Sequence, residues 1–309
     1  MEKNRKEFPH HHLIGLRNLT KDDLNLIFEQ TAKIKQSKKK HIPTLEGKTF
    51  ANLFFEPSTR TRISFELAIK NLGATVVHIS ENTSSFTKGE TLFDTVKNLE
   101  ALGLDGIIIR HKNAGAPQFV SDHINIPVIN AGDGYTEHPT QGLLDVFTIQ
   151  EKLGSIKDKH IVIVGDILHS RVAKSNIWAL ITLGAKVTVC GPPTLIPPGI
   201  RRMGVSVVTH LDAIIKEVDV INVLRVQYER QDIDFFPSIR EFRSRFGITK
   251  ERMRQAKDNV IVLHPGPINR GIEIDSDVAD GPQNVILDQV QNGVYVRMAV
   301  INLLCGVRL

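Results

Sequence analysis

The sequence predicts an α/β protein with two doubly wound domains, each built on a central parallel sheet flanked by helices. From Lys48 onward, short apolar runs rich in β-branched residues alternate with amphipathic helix patterns, as parallel strands and their helical crossovers do. The chain has 309 residues, of which 41% are hydrophobic, and this length favours about two domains. A long helix pattern that ends at Gly154 divides the alternation into two series.

The first series contains four predicted strands. A helix precedes them, because Thr20-Lys-Asp-Asp23 resembles a capping box. The helix after the first strand has Ser58 or Thr59 as its N-cap, and Gly73 ends it in the left-handed conformation. Apolar positions in this helix are supplied by Ile63, Leu67 and Ile69. The predicted strands are Thr49–Phe55, Thr75–Ile79, Gly106–Arg110 and Pro127–Asn130, with helices near residues 60–72, 90–102 and 115–122.

A helix predicted from Pro139 to Leu153 closes the first domain, with proline in its first turn. The second series has predicted strands at His160–Gly165, Lys186–Cys190, Val205–Thr209, Val218–Leu224 and Asn259–His264. The last pattern, Val285–Leu304, is helical, with apolar residues near the required spacing at Val290, Val294, Met298, Ile301 and Leu304. The predicted domains are residues 1–153, joined by the C-terminal segment 285–309, and residues 154–284.

The composition argues against a membrane protein and a nucleic-acid-binding protein. No apolar run reaches the ~18 residues of a membrane-spanning helix, and residues 1–12 lack a signal-type apolar stretch, so we expect a cytoplasmic protein. The formal charge of +5 permits an anionic substrate. The one dense basic run, Lys38–His41, fits a solvated loop better than a nucleic-acid site.

The cysteines and histidines do not indicate a metal centre. Cys190 and Cys305 lie in apolar contexts without metal-ligand spacing, and we expect both to be reduced core residues. The run His10–His12 could bind metal adventitiously, but acidic residues and cysteines do not accompany it as ligands of a designed site would.

The sharpest local signal is Ser58-Thr-Arg-Thr-Arg62, which follows a predicted strand and opens a helix. Backbone N–H groups at a helix N-terminus point outward without partners, and the helix dipole adds partial positive charge, so this junction suits a phosphate. Arg60 could bind two phosphate oxygens with its planar fork. The alternative is that Ser58 and Thr59 only cap the helix while the arginines are solvated.

Two further strand ends carry polar residues of the same kind. Arg110 ends the third predicted strand, and ligands of open α/β sheets lie beyond such carboxyl ends. His138 and Gln141 lie three residues apart in the first turn of the predicted helix after the fourth strand, so both can face one ligand. Each residue alone could be a surface charge or an inert first-turn residue. Three strand-to-helix junctions with anion or carbonyl ligands nevertheless favour one binding site.

At these residues the sequence resembles the aspartate and ornithine carbamoyltransferase family, over nearly the whole chain. Ser58–Arg62 resembles the family's carbamoyl phosphate signature, and His138-Pro-Thr-Gln141 resembles its second anchor. The segment 84–90 resembles the mobile loop of the aspartate enzymes, which reaches into the neighbouring subunit's site with a serine and a lysine. By position these are Ser84 and Lys88.

The acceptor side resembles the aspartate branch. The matching segments are Gly165–Arg171, Arg225-Val-Gln227 and the proline-rich segment His264–Gly271. The Asp-X-X-X-Ser-Met and His-Cys-Leu-Pro patterns that ornithine enzymes typically carry do not occur in the sequence. The chemistry agrees, because the two carboxylates of aspartate call for cations such as Arg171 and Arg225.

The resemblance implies transfer of the carbamoyl group of carbamoyl phosphate to L-aspartate, giving N-carbamoyl-L-aspartate and phosphate in the second step of de novo pyrimidine biosynthesis. It implies these catalytic residues: Arg60, Thr61, His138 and Lys88. The implied carbamoyl phosphate ligands are Ser58, Thr59, Arg60, Thr61, Arg110, His138, Gln141, Pro265, Gly266 and Pro267, with Ser84 and Lys88 from the adjacent subunit. Gln141 and the backbone carbonyls of the proline loop would receive the carbamoyl NH2 group. The implied aspartate ligands are Lys88, Arg171, Arg225 and Gln227.

The resemblance also implies a homotrimer with shared active sites, with or without regulatory or dihydroorotase chains in a larger assembly. No metal or organic cofactor is expected, because phosphate leaves on its own charge and can accept the proton of the amine.

Three other functions remain as alternatives. A carbamoyltransferase for another acceptor, such as ornithine, is the nearest. A nucleotide-dependent dehydrogenase is disfavoured, because after the strand at 160–165 only Gly165 is present where the G-x-G-x-x-G fingerprint requires three glycines. A non-catalytic anion-binding chain would be expected to lack the acceptor-side residues, yet Arg171, Arg225 and Gln227 are present.

Overall fold

The structure is a computed structural model that describes residues 8–80, 89–226 and 238–309. The predicted site residues Ser84, Lys88 and Gln227 lie outside these ranges. Among the described residues, no helix combines the length and the apolar character needed to cross a membrane. The chain forms two compact units: unit 1 contains Met1–Thr140 and Gln291–Leu309, and unit 2 contains Gln141–Val290. The boundaries inferred from the sequence, 153/154 and 284/285, stay predictions.

Unit 1 begins with a capped helix, as the sequence predicts. The Thr20 hydroxyl accepts a hydrogen bond from the Asp23 N–H at 3.2 Å, and the Asp23 carboxylate accepts one from the Thr20 N–H at 2.8 Å. The elements that follow in chain order are α1 (Lys21–Gln36), β1 (Thr49–Phe54), α2 (Thr59–Asn71), β2 (Thr75–Ser80), α3 (Leu92–Ala101), β3 (Gly106–His111), α4 (Ala116–Ser121) and β4 (Val128–Asp133).

The four strands of unit 1 are parallel and lie in the order β2-β1-β3-β4. The order reverses direction between β1 and β3, and in open α/β sheets this switch point is where ligands bind. Apolar side chains of the strands pack with side chains of α3 and α4 into one core, which includes Ala51, Leu53, Ile107, Ile109, Val96, Leu99 and Val120.

Helix α2 departs from the prediction in two respects. Ser58 is its N-cap residue, but the Ser58 side chain makes no capping hydrogen bond. Ile63 and Leu67 are each 45% exposed, whereas Phe65 and Ile69 are buried. The prediction was therefore right for Ile69 and wrong for Ile63 and Leu67, because residues two apart, such as Leu67 and Ile69, point in different directions on a helix. Gly73 follows the helix with φ of 81°, which confirms the predicted left-handed end.

Unit 2 contains the second parallel sheet. The remaining elements of the chain are α5 (Pro139–Leu153), β5 (His160–Val164), α6 (Arg171–Thr182), β6 (Lys186–Cys190), β7 (Ser206–Val208), β8 (Val220–Val223), α7 (Ile239–Phe246), α8 (Lys250–Met253), β9 (Ile261–Leu263), α9 (Ser276–Ala279) and α10 (Ile286–Leu304). The division between the units falls inside α5 and α10. The strand order is β7-β6-β5-β8-β9, with the switch point between β5 and β8.

Several boundaries and burial predictions in unit 2 and at the C-terminus need correction. The strands predicted at 205–209, 218–224 and 259–264 are shorter in the structure, since each extends only as far as its neighbour pairs with it. Val290 in α10 is 55% exposed rather than apolar core. Both cysteines are free thiols, but only Cys190 is buried and Cys305 is half-buried.

Gly165 lies directly after β5 and is expected to tolerate no side chain. Its φ is 125°, and a Cβ atom there would lie 2.9 Å from the Leu224 carbonyl oxygen. We expect Gly165→Ala to lower the free energy of unfolding by about 3 kcal/mol, because backbone strain and a backbone clash add. Urea unfolding measures this loss. The control is Gly154→Ala, where φ is 74° and nothing lies within 4 Å, with an expected cost of about 1 kcal/mol; equal losses would contradict the argument.

Candidate functional site

In unit 1, the Ser58–Arg62 segment and Arg110 follow neighbouring strands. Phe54 is opposite Arg110 in the β1/β3 pair, and the Phe55 N–H donates to the Arg110 carbonyl oxygen at 2.9 Å. The chain then enters α2, whose first residue is Thr59. The start of α2 and Arg110 therefore lie at the carboxyl edge of the sheet, beside its switch point.

The start of α2 is electrostatically suited to an anion. Its first turn contains no acidic residue, and the side chain of the N-cap residue Ser58 makes no capping hydrogen bond. Thr59 and Arg60 are exposed there, while Thr61 is buried. The partial positive charge of this helix end is thus not offset by a carboxylate of its own first turn, which favours a bound phosphate.

Arg110 is a buried cation that donates to a carboxylate and to a backbone carbonyl oxygen. Its Nη2 donates to Glu56 Oε1 at 2.7 Å, and its Nη1 donates to the Ala131 carbonyl oxygen at 3.1 Å. Glu56 belongs to the segment that joins β1 to α2, so the ion pair ties this segment to β3. A phosphate bound at Arg110 would compete with Glu56 for the guanidinium.

The turn between β4 and α5 presents His138. Asp133 organises the turn: one carboxylate oxygen accepts from the Asn130 side-chain amide at 2.9 Å and from the Glu137 N–H at 3.2 Å. The other oxygen accepts from the Gly115 N–H at 2.8 Å. His138 follows this braced backbone and is only 4% exposed.

Glu137 is a second buried carboxylate in the same turn. Its Oε2 accepts from the Leu16 N–H at 2.8 Å, so the N-terminal segment holds it in place. The fit is tight, because a Cβ atom on Gly15 would lie 2.5 Å from Glu137 Oε1. The residue directly before His138 is therefore fixed from outside its own turn.

In unit 2, Arg171 and Arg225 also follow neighbouring strands. The Leu224 N–H donates to the Val164 carbonyl oxygen at 2.7 Å, which joins the ends of β8 and β5. Arg171 is the first residue of α6 and is 5% exposed, and Arg225 comes two residues after β8 and is half-buried. Both arginines therefore follow the carboxyl ends of the two strands that form the switch point of the second sheet.

The loop between β5 and α6 is braced by an acid and a histidine. His169 Nδ1 lies 3.0 Å from each carboxylate oxygen of Asp166, and the His169 N–H donates to Asp166 Oδ1 at 3.1 Å. Ser170 caps α6 by accepting from the Ala173 N–H at 3.1 Å. These contacts fix the backbone of the residues that precede Arg171.

The proline loop, His264–Gly271, is anchored by the buried His264 and Glu273. His264 Nδ1 accepts from the Gly266 N–H at 2.8 Å, so the proton is on Nε2, which donates to Glu273 Oε1 at 3.1 Å. The same Glu273 oxygen accepts from the Asn269 N–H at 2.6 Å. The Gly266–Pro267 peptide bond is cis.

Gln141 contacts a buried carboxylate one turn along α5. Its Nε2 donates to Asp145 Oδ1 at 2.8 Å, and Asp145 is fully buried. Burial raises the pKa of Asp145 to about 6, while hydrogen bonds from Asn176, Gln289, Gln141 and Asn222 act in the opposite direction.

The raised pKa of Asp145 predicts a pH-dependent stability difference. The folded state holds the Asp145 proton more tightly than the unfolded chain does, so ionisation of Asp145 costs folding free energy as pH rises from about 4 to about 6. We expect the stability of Asp145→Asn relative to the wild type to increase by up to about 3 kcal/mol between pH 4 and pH 7.5. Urea unfolding at each pH measures the difference. Thr148→Val removes no titrating group, so its stability relative to the wild type should not change with pH. A pH-independent stability difference between Asp145→Asn and the wild type would contradict the raised pKa of Asp145.

Profiles of a known protein family match both halves of the chain. The profile described as the aspartate/ornithine carbamoyltransferase carbamoyl-P binding domain matches residues 11–151, and that of the Asp/Orn binding domain matches residues 157–304. The chain belongs to the aspartate/ornithine carbamoyltransferase family.

Relatives within this family include proteins of both branches. The aspartate carbamoyltransferase catalytic subunit of Endomicrobium trichonymphae is 55% identical over 295 residues, which cover 94% of this chain and 95% of that protein. The ornithine carbamoyltransferase of Pyrococcus furiosus has a solved structure with a TM-score of 0.85 and 31% identity, covering 96% of this chain and 98% of that one. The structure of the aspartate transcarbamoylase of Trypanosoma cruzi, solved with carbamoyl phosphate and aspartate, has a TM-score of 0.85 and 30% identity. The match covers 94% of this chain and 95% of that one.

The carbamoyltransferase residues predicted from the sequence fall into two described groups. Unit 1 contains Ser58, Thr59, Arg60, Thr61, Arg110 and His138, and unit 2 contains Gln141, Arg171, Arg225, Pro265, Gly266 and Pro267. The sequence reasoning missed the side chains that hold these groups: Glu56, Glu137, Asp145, Gln289 and Glu273. Only Asp145 carried a usable signal, because it lies four residues after Gln141 on the predicted helix.

Proposed function

We propose that the chain transfers the carbamoyl group of carbamoyl phosphate to L-aspartate and so catalyses the second step of de novo pyrimidine biosynthesis. One observation carries the choice of acceptor: two arginines, Arg171 and Arg225, follow the adjacent strands at the switch point of the second sheet. Two guanidinium groups match the two carboxylates of aspartate. Support also comes from the 55% identical relative, which is named as an aspartate carbamoyltransferase catalytic subunit.

The carbamoyl phosphate side is assigned to residues of unit 1. The start of α2 and Arg110 bind the phosphate, since backbone N–H groups, hydroxyls and a guanidinium meet at this sheet edge. The phosphate ligands are Ser58, Thr59, Arg60, Thr61 and Arg110, with Ser84 and Lys88 from the adjacent subunit. Arg60, Thr61 and His138 donate hydrogen bonds to the carbonyl oxygen.

The NH2 group of the carbamoyl moiety and the aspartate are assigned to residues of unit 2, together with Lys88. The carbonyl oxygens of the Gln141 side chain and of the Pro265–Pro267 backbone accept from the NH2 group. The aspartate ligands are Lys88, Arg171, Arg225 and Gln227. The neutral amine of aspartate attacks the carbamoyl carbon, negative charge develops on the carbonyl oxygen, and the C–O bond to phosphate breaks. The departing phosphate accepts the proton of the amine.

The rate enhancement comes from positioning and electrostatics. Placing two substrates in line removes several kcal/mol of entropic barrier, and each donor aimed at the developing oxyanion commonly contributes about 3 kcal/mol. Catalysis of this kind relies on groups that are held in place before substrate arrives. Buried acids hold the backbone beside His138, the loop before Arg171 and the proline loop.

The proposal includes a cytoplasmic homotrimer in which Ser84 and Lys88 complete a neighbouring subunit's site. Its support is the resemblance of segment 84–90 to the shared-site loop of the aspartate enzymes. The native mass of the active species, measured by light scattering during chromatography, tests it. Activity that elutes at the monomer mass would refute the shared site.

The deciding experiment is carbamoyl transfer from carbamoyl phosphate to L-aspartate and, in parallel, to L-ornithine, with purified protein and no added metal. Transfer to aspartate alone is the expected result. Transfer to ornithine would leave the phosphate side intact and overturn the acceptor assignment. Failure with both acceptors, with or without added metal, would favour a non-catalytic anion-binding chain.

A further inference from the structure

Asp145 is a fully buried carboxylate surrounded by side-chain amides of unit 2. Its Oδ1 accepts from Gln141 Nε2 at 2.8 Å and from Gln289 Nε2 at 2.7 Å. Its Oδ2 accepts from Asn176 Nδ2 at 2.8 Å. Three elements, α5, α6 and α10, therefore converge on one charge.

The charge determines how each of these amides is oriented. An ionised carboxylate only accepts hydrogen bonds, so an amide that contacts it must present its NH2 group and turn its carbonyl oxygen away. Gln289 shows the consequence, because its carbonyl oxygen accepts from the His264 N–H at 2.9 Å. The carbonyl oxygen of Gln141 is likewise turned away from Asp145. A flipped Gln141 amide would set oxygen against oxygen and lose the bond.

We propose that Asp145 is a positioning residue that makes the site selective for the carbamoyl NH2 group. It holds the carbonyl oxygen of Gln141 outward as an acceptor and, through Gln289 and His264, fixes the loop Pro265–Pro267. The inference rests on the proposed function, in which these two elements receive the NH2 group. Asp145 itself touches no substrate.

A purely structural role would not require a hydrogen-bond acceptor at this position. Burial raises the pKa of Asp145 to about 6, so the ionised carboxylate is costly at neutral pH, and well-packed apolar residues often replace buried charges at no cost in stability. Its useful property is that two oxygens accept from several amides at once, those of Gln141, Asn176 and Gln289 among them. Asparagine would keep one acceptor oxygen, which is enough for Gln141 and Gln289 if the Asn176 amide rotates.

The test compares ligands that differ at one group. Acetyl phosphate replaces the NH2 group of carbamoyl phosphate with a methyl group. Inorganic phosphate has neither the NH2 group nor the methyl group. Dissociation constants of all three are measured by calorimetry on the full-length protein as purified. We expect Asp145→Ala to weaken carbamoyl phosphate about tenfold, while acetyl phosphate and phosphate keep their wild-type dissociation constants. The selectivity for carbamoyl over acetyl phosphate therefore falls about tenfold.

Three further variants separate positioning from folding. Asp145→Asn should recover selectivity to within about 1.5-fold of the wild type, because one acceptor oxygen remains. Thr148→Val is the matched control, since the buried Thr148 hydroxyl lies one turn further along α5 and donates to the Leu144 carbonyl oxygen; its selectivity should be that of the wild type. Gln289→Met keeps the test decisive if Asp145→Ala does not fold, and it should lower selectivity about threefold through the proline loop.

The outcomes distinguish this inference from the proposed function. Equal weakening of all three ligands in Asp145→Ala would show a structural role and overturn the inference, and so would unchanged selectivity in Asp145→Ala or Gln289→Met. In both cases the wild type would still prefer carbamoyl phosphate and transfer its carbamoyl group. A wild type without that preference or that transfer would instead overturn the proposed function.

Discussion

Replacing Arg60 with alanine is expected to lower kcat for carbamoyl transfer by about 10² to 10³-fold, which is the range for loss of one oxyanion donor. Arg60 is the second residue of α2, at the switch-point edge of the first sheet. A guanidinium there interacts more strongly with the carbonyl oxygen as its negative charge grows, so the loss appears in kcat more than in KM. Steady-state kinetics with both substrates varied gives the two constants separately.

The same helix provides a matched control for this prediction. Lys70 is exposed and pairs with Glu66 at 2.7 Å on the surface of α2, so Lys70→Ala should leave kcat within about twofold. Arg60→Lys retains the charge but not the planar fork and should recover only part of the activity. A kcat for Arg60→Ala within about threefold of the wild type would remove Arg60 from the catalytic set.

Replacing Arg171 with alanine is expected to lower kcat/KM for aspartate by about 10² to 10³-fold while the affinity for carbamoyl phosphate stays within about threefold. Arg171 is 5% exposed at the first position of α6, so a carboxylate bound there would be withdrawn from water. Loss of one partner from such a desolvated pair costs about 2–5 kcal/mol. Initial rates at saturating carbamoyl phosphate give kcat/KM, and calorimetry gives the affinity for carbamoyl phosphate.

Arg243 is the corresponding control in unit 2. It forms an exposed ion pair with Asp275 at 2.8 Å, so Arg243→Ala should change kcat/KM for aspartate by less than about twofold. If Arg171→Ala weakened carbamoyl phosphate as strongly as aspartate, the side chain would have a general structural role and the acceptor assignment would fail.

Elements with strong local end signals were predicted most accurately. The helix Pro139–Leu153 and the strand Lys186–Cys190 have the predicted bounds, and Gly154 follows the helix with φ of 74°. Proline in a first turn and glycine after a last turn act through their own backbone preferences, which do not depend on distant residues. Edge strands such as β9 were predicted too long, because pairing with a neighbour decides where a strand ends.

Burial was less predictable than secondary structure. Ile63 and Leu67 are apolar residues of α2 with the spacing of one helical face, yet each is 45% exposed, and Phe65 with Ile69 forms the buried side. Both faces of this helix carry apolar residues, so the pattern alone does not distinguish them. The position of α2 relative to the sheet determines which of the two faces is buried.

The sequence by itself determined that Arg60, Arg110, Arg171 and Arg225 would follow strands or open helices, because those junctions are local and their residue types are visible. Only the tertiary structure decided which junctions are neighbours, since the orders β2-β1-β3-β4 and β7-β6-β5-β8-β9 arise from pairing between distant strands. Only the tertiary structure decided how buried side chains are oriented. The amide of Gln141 is set by Asp145, which Gln289 contacts from 144 residues away, and the free energy of such a buried contact exists only after the chain has brought the groups together.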